Sequence, residues 1–202
     1  MIPLSLVSKW MFFVRENPQY LNRFSECFWP SQMISKAAAL KLLDSKMRWT
    51  GEDQQVYVFA GWYGIFAQIM HERYQGIKIF NIDIDPSCEF VFNSINTSDQ
   101  IEHITSDMAE FEYPTIPDLV INTSTEHLSQ ETYDTWWNKI PSGTIYLIQG
   151  NNFFESPEHV RCSNTLEEFL KMNYLDAGHV IECGIRSDQS PFYRFMSIGI
   201  KI

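Results

Sequence analysis

The sequence predicts an α/β protein: an open, mostly parallel β-sheet with helices on both faces, ending in an antiparallel hairpin. Three observations carry this. From Gln54 onward, short apolar runs alternate with helix-forming segments about five times, the order that winds into a parallel sheet. The first run, Val56-Tyr57-Val58-Phe59-Ala60, is apolar throughout, as in a strand covered on both faces. The last part breaks the pattern: Val180 to Ile185 and Phe192 to Ile202 read as two strands joined by the short polar loop Arg186 to Pro191.

Each element follows from local chemistry. Residues 3–25 mix aromatic and apolar positions and are expected to form one or two helices. A longer helix follows Pro30 to Met47, with Ser31 as its N-cap and Met33, Ala37 and Leu40 on its apolar side. The first strand ends in the turn Gly61-Trp62-Tyr63-Gly64, and Ile65 to Met70 continues as a helix. A second strand, Ile77 to Ile84, leads into Asp85-Pro86, where Asp85 caps the next helix and Pro86 takes its first position. A third strand spans Ile101 to Thr105 and a fourth Leu119 to Asn122. Ser129 caps a helix through Trp136-Trp137, of which one ring is expected in the core and the other at a pocket or interface. A fifth strand covers Thr144 to Gln149, and Asn164 with Glu167 reads as a capping box. In the final strand Met196, Ile198, Ile200 and Ile202 alternate with Ser197, Gly199 and Lys201. Residues 1–53 thus read as a helical extension packing on a core domain of residues 54–202.

Composition bounds the function. With 202 residues the chain suits one core. Fifteen Lys and Arg, spread thinly against a net charge of −10, argue against an extensive nucleic-acid surface, which needs clustered cations. No apolar run approaches a membrane span, so no membrane partner is expected. Trp10 to Val14 is short and lacks a cleavage site, so no signal peptide is expected. Cys27, Cys88, Cys162 and Cys183 are scattered, and His71, His103, His159 and His179 show no ligand spacing. No metal is expected, and reduced thiols in a cytoplasm account for the cysteines.

The order of segments resembles the class I S-adenosylmethionine-dependent methyltransferases, over roughly residues 54 to 202. Val56 to Gly64 stands where that family has its glycine-rich loop. Asn81-Ile82-Asp83-Ile84-Asp85-Pro86 is similar to its acidic ribose-binding segment. Ser106-Asp107-Met108 follows the third strand, where the family places a residue beside the adenine. Asp118 to His127 and Ile140-Pro141-Ser142-Gly143 match its fourth- and fifth-strand segments. The resemblance implies a seven-stranded Rossmann-like sheet, S-adenosyl-L-methionine as cofactor, and methyl transfer to a small-molecule or protein acceptor. It implies cofactor contacts from Ala60, Gly61, Trp62, Gly64, Asp83, Ile84, Asp107, Met108 and Asn122. Aligning Gly64 with the loop's last glycine puts Ala60 at the first, Trp62 at the second and Val58 at the usual acid.

The residues support this independently. Ligands of open parallel sheets bind outside the carboxyl ends of the strands, where the strand order reverses. A carboxylate at the end of the second strand can accept from both ribose hydroxyls, which suits Asp83, because Asp85 already serves the cap. Asn122, Glu126 and His127 cluster after the fourth strand and are the candidate catalytic residues: an amide that orients an acceptor, and a carboxylate and an imidazole able to take a proton near neutral pH. Phe153 and Phe154 are candidates to line the acceptor site. Two other readings remain open: a different use of the cofactor, by cleavage or another group transfer, and an inactive binding relative, which Val58 and Trp62 favour.

Overall fold

The computed structural model of the chain describes residues 2–51, 53–96 and 98–202. The sheet has seven strands in the order β3-β2-β1-β4-β5-β7-β6. These are β1 (Gln54–Phe59), β2 (Ile77–Asp83), β3 (Ile101–Thr105), β4 (Leu119–Asn122), β5 (Ile145–Asn151), β6 (His179–Ile185) and β7 (Pro191–Ile200). The first five strands are mutually parallel, while β7 runs antiparallel to both β5 and β6. The expected Rossmann-like sheet and terminal hairpin are therefore present. Strand order reverses between β1 and β4, so their carboxyl ends flank a natural ligand crevice.

The helices are α1 (Leu4–Glu16), α2 (Leu21–Glu26), α3 (Pro30–Lys46), α4 (Ile65–Arg73), α5 (Ser87–Ile95), α6 (Gln130–Lys139) and α7 (Leu166–Met172). Side chains alternate across each strand, so the uniformly apolar strands feed two separate cores. Val56, Val58, Ile79, Ile121, Leu147 and Met196 face Ala39 and Leu43 of α3 and Ala67 and Met70 of α4. On the other side Tyr57, Phe59, Ile82, Val120, Ile148 and Phe195 pack with Tyr133, Trp136 and Trp137 of α6 and Phe169 of α7. A third cluster joins Leu6, Trp10 and Phe13 of α1 and Phe24 of α2 to Tyr63, Ile69, Val91 and Ile95. Full burial of one such side chain stabilises by about 1.5–3 kcal/mol.

Several local expectations need correction. Pro30 is the first residue of α3 and Trp29 its N-cap, because proline's fixed φ suits the first turn; Ser31 lies inside the helix. The buried face of α3 is Ser35, Ala39 and Leu43, at spacing four, instead of the Met33 side. Helix α5 begins one residue late, at Ser87, but Asp85 still receives the Ser87 amide at 2.9 Å. The cap of α7 is Thr165, which accepts from Glu168 N, while Glu168 accepts from Asn164 N. Both Trp136 and Trp137 are buried; Tyr146 and the Lys201 ammonium, 4.5 Å from the ring, cover Trp137. Strand β7 lies inside the sheet, so Met196 and Ser197 are both fully buried, whereas Ile200 and Ile202 are exposed. Among the described residues no helix is long and apolar enough to cross a membrane.

Candidate cofactor and acceptor site

The turn after β1 is held on the end of β2. Gly61 N donates to Ile82 O at 3.0 Å, and Gly64 N to Gly61 O at 2.9 Å. Ala60, Trp62 and Gly64 have φ of +49°, +49° and +72°. Left-handed backbone thus recurs at the three positions aligned with the family's glycines, although two carry side chains. The two glycines that remain are required by packing. A Cβ on Gly61 would lie 2.0 Å from Asn81 Oδ1, and one on Gly64 2.5 Å from the Phe92 ring. The Trp62 ring is half-buried and stacked on Tyr63 at 4.6 Å, with the Arg23 guanidinium 5.8 Å away.

Asn81, fully buried on β2, anchors the turn by donating to Trp62 O at 3.1 Å and to His103 Nδ1 at 3.2 Å. Burial lowers the His103 pKa, which keeps the ring neutral and Nδ1 free to accept. Asp83 stands at the same strand end, half-buried. One oxygen accepts from Trp62 N at 2.7 Å and the other from Asp85 N at 3.0 Å. A carboxylate has further lone pairs, so both oxygens can still receive a ligand hydroxyl. Ile84, the next residue, is 66% exposed, which is unusual for so large an apolar side chain beside a strand end. Ser106 N donates to Asp83 O at 2.9 Å, which ties the end of β3 to β2 and brings Asp107 alongside. Asp107 Oδ1 accepts from Ala109 N at 2.8 Å, and half-buried Met108 places its sulfur 3.7 Å from Asn122 Nδ2.

The ends of β4 and β5 form the other half. Asn122 is fully buried, and its Oδ1 accepts from Ser124 N at 3.0 Å, so its amide shapes the turn. Thr125 to His127 make one turn of 3-10 helix. Glu126 is buried: Oε1 accepts from Asn151 Nδ2 at 2.6 Å and lies 4.0 Å from the buried Arg194 guanidinium. Its backbone oxygen accepts from Val160 N and Arg161 N, which pins the loop after β5 over the site. Glu126 Oε2 is buried with no partner, as is Arg194 Nε. His127 is exposed and meets the His159 ring edge-on at 4.7 Å. His159 Nδ1 lies 2.6 Å from Phe153 O; a carbonyl only accepts, so Nδ1 carries the proton and Nε2 is left with a lone pair. Phe153 is half-buried against His159 and Phe192, and Phe154 is exposed.

The expected residues therefore gather at one edge of the sheet, in two groups: Ala60 to Gly64 with Asp83, Ile84 and Asp107, and Asn122 to His127 with Met108. Asn81, Asn151, His159 and Arg194 were not anticipated. The polar run Gln149-Gly150-Asn151-Asn152 at the end of a buried strand is the signal for Asn151; Gln149 also accepts from Ser35 of α3 at 2.7 Å, which closes α3 over this end. Burial lowers Lys36 on α3 to about 8, with Arg194 adding repulsion, and raises Cys27 and Cys162 to about 12, so these thiols are poor nucleophiles. A surface cleft of about 600 Å³ lies elsewhere, between α3 and α4, bordered by Met33, Leu40, Asp44 and Glu72.

No family model and no curated protein matches the sequence. Solved structures share the fold. The N-methyltransferase NodS from Bradyrhizobium japonicum WM9, in complex with S-adenosyl-L-homocysteine, is 13% identical, with a TM-score of 0.60 over 84% of this chain and 88% of that one. Coclaurine N-methyltransferase, bound to N-methylheliamine and S-adenosyl-L-homocysteine, is 8% identical, with a TM-score of 0.64 over 82% and 72%. Geranyl diphosphate C-methyltransferase from Streptomyces coelicolor A3(2), in complex with Mg2+, geranyl diphosphate and S-adenosyl-L-homocysteine, is 11% identical, with a TM-score of 0.60 over 82% and 77%. At such identities the likeness establishes the fold: this chain has the class I methyltransferase fold.

Proposed function

We propose that the chain is an S-adenosylmethionine-dependent methyltransferase acting on a small-molecule or protein acceptor. The observation that carries this is the Asp83 carboxylate at the end of β2, beneath the Trp62 amide and beside an exposed Ile84. The donor set fits the cofactor. Asp83 has lone pairs left for ribose hydroxyls, Ile84 offers an apolar face to the adenine, and Asp107 at the adjoining strand end can accept from its amino group. The amides at the start of α4 suit a carboxylate. Trp62 departs from the usual loop, but its backbone takes the conformation a glycine would, and its ring turns onto Tyr63.

S-adenosylmethionine, when bound, supplies a methyl group on a sulfonium that is already a good leaving group. The protein's task is then alignment, for which rigid strand ends are suited. Asn122 holds the turn after β4 against Met108 and Ser124. The exposed imidazole of His127 and the unpartnered Oε2 of Glu126 are the groups that meet the acceptor and, where it attacks from a protonated form, its proton. We place the protein in the cytoplasm, on its free cysteines.

A thermal-shift titration with S-adenosylhomocysteine tests the reading. At a hundredfold excess over Kd a ligand of the native state stabilises by about 2.7 kcal/mol, which raises Tm by roughly 5–10 °C in a chain of this size. No response to any adenosyl ligand overturns it. A second reading, a cofactor-binding protein without transfer, is favoured by Trp62 at the loop and by the full engagement of Asn122. It predicts the same shift with no methylated product from any acceptor.

A further inference from the structure

We propose that Glu126, His127 and His159 form a binding site for one divalent transition-metal ion, of the zinc, cobalt(II) or iron(II) class, on the acceptor side of the sheet. One ligand atom from each residue lies within 4.8 Å of the other two, a spread that small rotamer changes close onto a shared ion. Two features besides proximity mark these groups as ligands. Glu126 Oε2 is buried without a hydrogen-bond partner, although Oε1 is held by Asn151 Nδ2 and faced by Arg194. Leaving such an atom unsatisfied is costly, and an ion satisfies it. His159 is oriented by the bond from its Nδ1–H to Phe153 O, which directs the Nε2 lone pair away from the backbone. Metal-bound histidines are oriented and tuned by a carbonyl or carboxylate in this way.

The charge balance selects the metal. Arg194 sits 4.0 Å from Oε1 and weakens the site's pull on any cation. A single carboxylate facing an arginine is a poor cage for Mg2+ or Ca2+, which rely on several oxygens. Two neutral imidazoles suit the borderline metals instead. Because His127 is exposed, the remaining coordination positions open toward the crevice, where an acceptor's oxygen or nitrogen could bind. That last role rests on the methyltransferase reading; the ion site itself does not.

The test uses the full chain stripped with a chelator. Co2+ is added and followed by its visible absorption, Zn2+ by calorimetry, and stoichiometry by elemental analysis. The expected result is one equivalent bound. His127→Gln and His159→Gln should each weaken binding by more than the roughly 10–100-fold that loss of an outer-shell partner costs, and Asn151→Ala by about that amount. Both histidine variants keep the buried Glu126–Arg194 pair, so folding is preserved where Glu126→Gln would endanger it. His71→Gln and His179→Gln should bind as wild type. Failure to bind one equivalent, or binding indifferent to both His127 and His159, overturns the proposal. S-adenosylhomocysteine affinity, measured on the same samples, separates this outcome from failure of the methyltransferase reading: intact cofactor binding without metal sinks the ion site alone.

Discussion

Replacing Asp83 probes the cofactor crevice most directly, and the structure refines what to expect. Its carboxylate already accepts two backbone amides, from Trp62 at 2.7 Å and Asp85 at 3.0 Å, so the side chain both holds the turn and offers the ribose contact. Hydrogen bonds to a charged acceptor contribute about 1.5–3 kcal/mol each. Asp83→Ala should therefore raise the Kd for S-adenosylhomocysteine by roughly 10- to 100-fold for one lost ligand bond. It should also lower Tm, by about 2–4 °C for each kcal/mol lost from the turn. Asp83→Asn keeps a neutral acceptor for one amide and the same shape, so it should lose less stability but still weaken affinity about tenfold. Isothermal calorimetry gives the affinities and a thermal melt the stability. The decisive pattern is affinity loss in the Asn variant beyond its stability loss. If Asp83→Asn binds the ligand as tightly as wild type while Asp83→Ala merely melts earlier, Asp83 is a turn anchor and the ribose assignment fails.

Three further outcomes follow from the same geometry. Ala60 has φ of +49°, which costs a non-glycine residue about 1–2 kcal/mol, so Ala60→Gly should leave Tm unchanged or raise it by up to about 4 °C despite glycine's entropy cost; a fall of several degrees in a thermal melt contradicts the strain argument. Burial depresses the His103 pKa in the folded state, so the unfolded chain takes up the proton first and stability falls as pH drops through the ordinary histidine range near 6.5. Denaturant melts from pH 7.5 to 5.5 should show this slope in wild type and less of it in His103→Leu, and equal slopes count against it. Trp62 fluorescence should respond to S-adenosylhomocysteine, and Trp62→Phe should lose most of the ligand-induced change; an identical change in the variant places Trp62 outside the crevice.

The fold was legible because apolar runs and helix formers alternate along most of the chain, and right-handed crossovers leave few ways to arrange them. What the pattern could not supply was local choice between neighbours. Trp29-Pro30-Ser31 and Asn164-Thr165 each offer two adjacent ways to begin a helix, and the winner depends on the backbone angle at which the chain arrives, which residue identity does not encode. The burial of both Trp136 and Trp137 had the same origin: a helix laid across a sheet buries a wide face, and Tyr146 and Lys201, distant in sequence, cover the second ring. Strand β7 looked one-sided by alternation, yet its place between β5 and β6, with α3 on one side and α7 on the other, buries both of its faces.

The site divides along the same line. Asp83, Ile84 and Asp107 were readable because each sits within a few residues of the strand end that positions it. Trp62 looked like a defect when glycine was read only as absence of a side chain. The structure shows two separable reasons for glycine at such a turn: backbone conformation and space. Ala60 and Trp62 adopt the conformation at an energetic cost, where their Cβ atoms have room; Gly61 and Gly64 remain because Asn81 and Phe92 leave none. Turn geometry can therefore outlast the glycine signature, provided the partners on β2 and α5 persist. His159 marks the opposite limit. No spacing links it to Glu126 and His127; the backbone bonds from Val160 and Arg161 to Glu126 O fold the loop after β5 back onto the turn after β4. Those contacts run from a carbonyl to two amides, which every residue carries, so nothing in the side chains announces them.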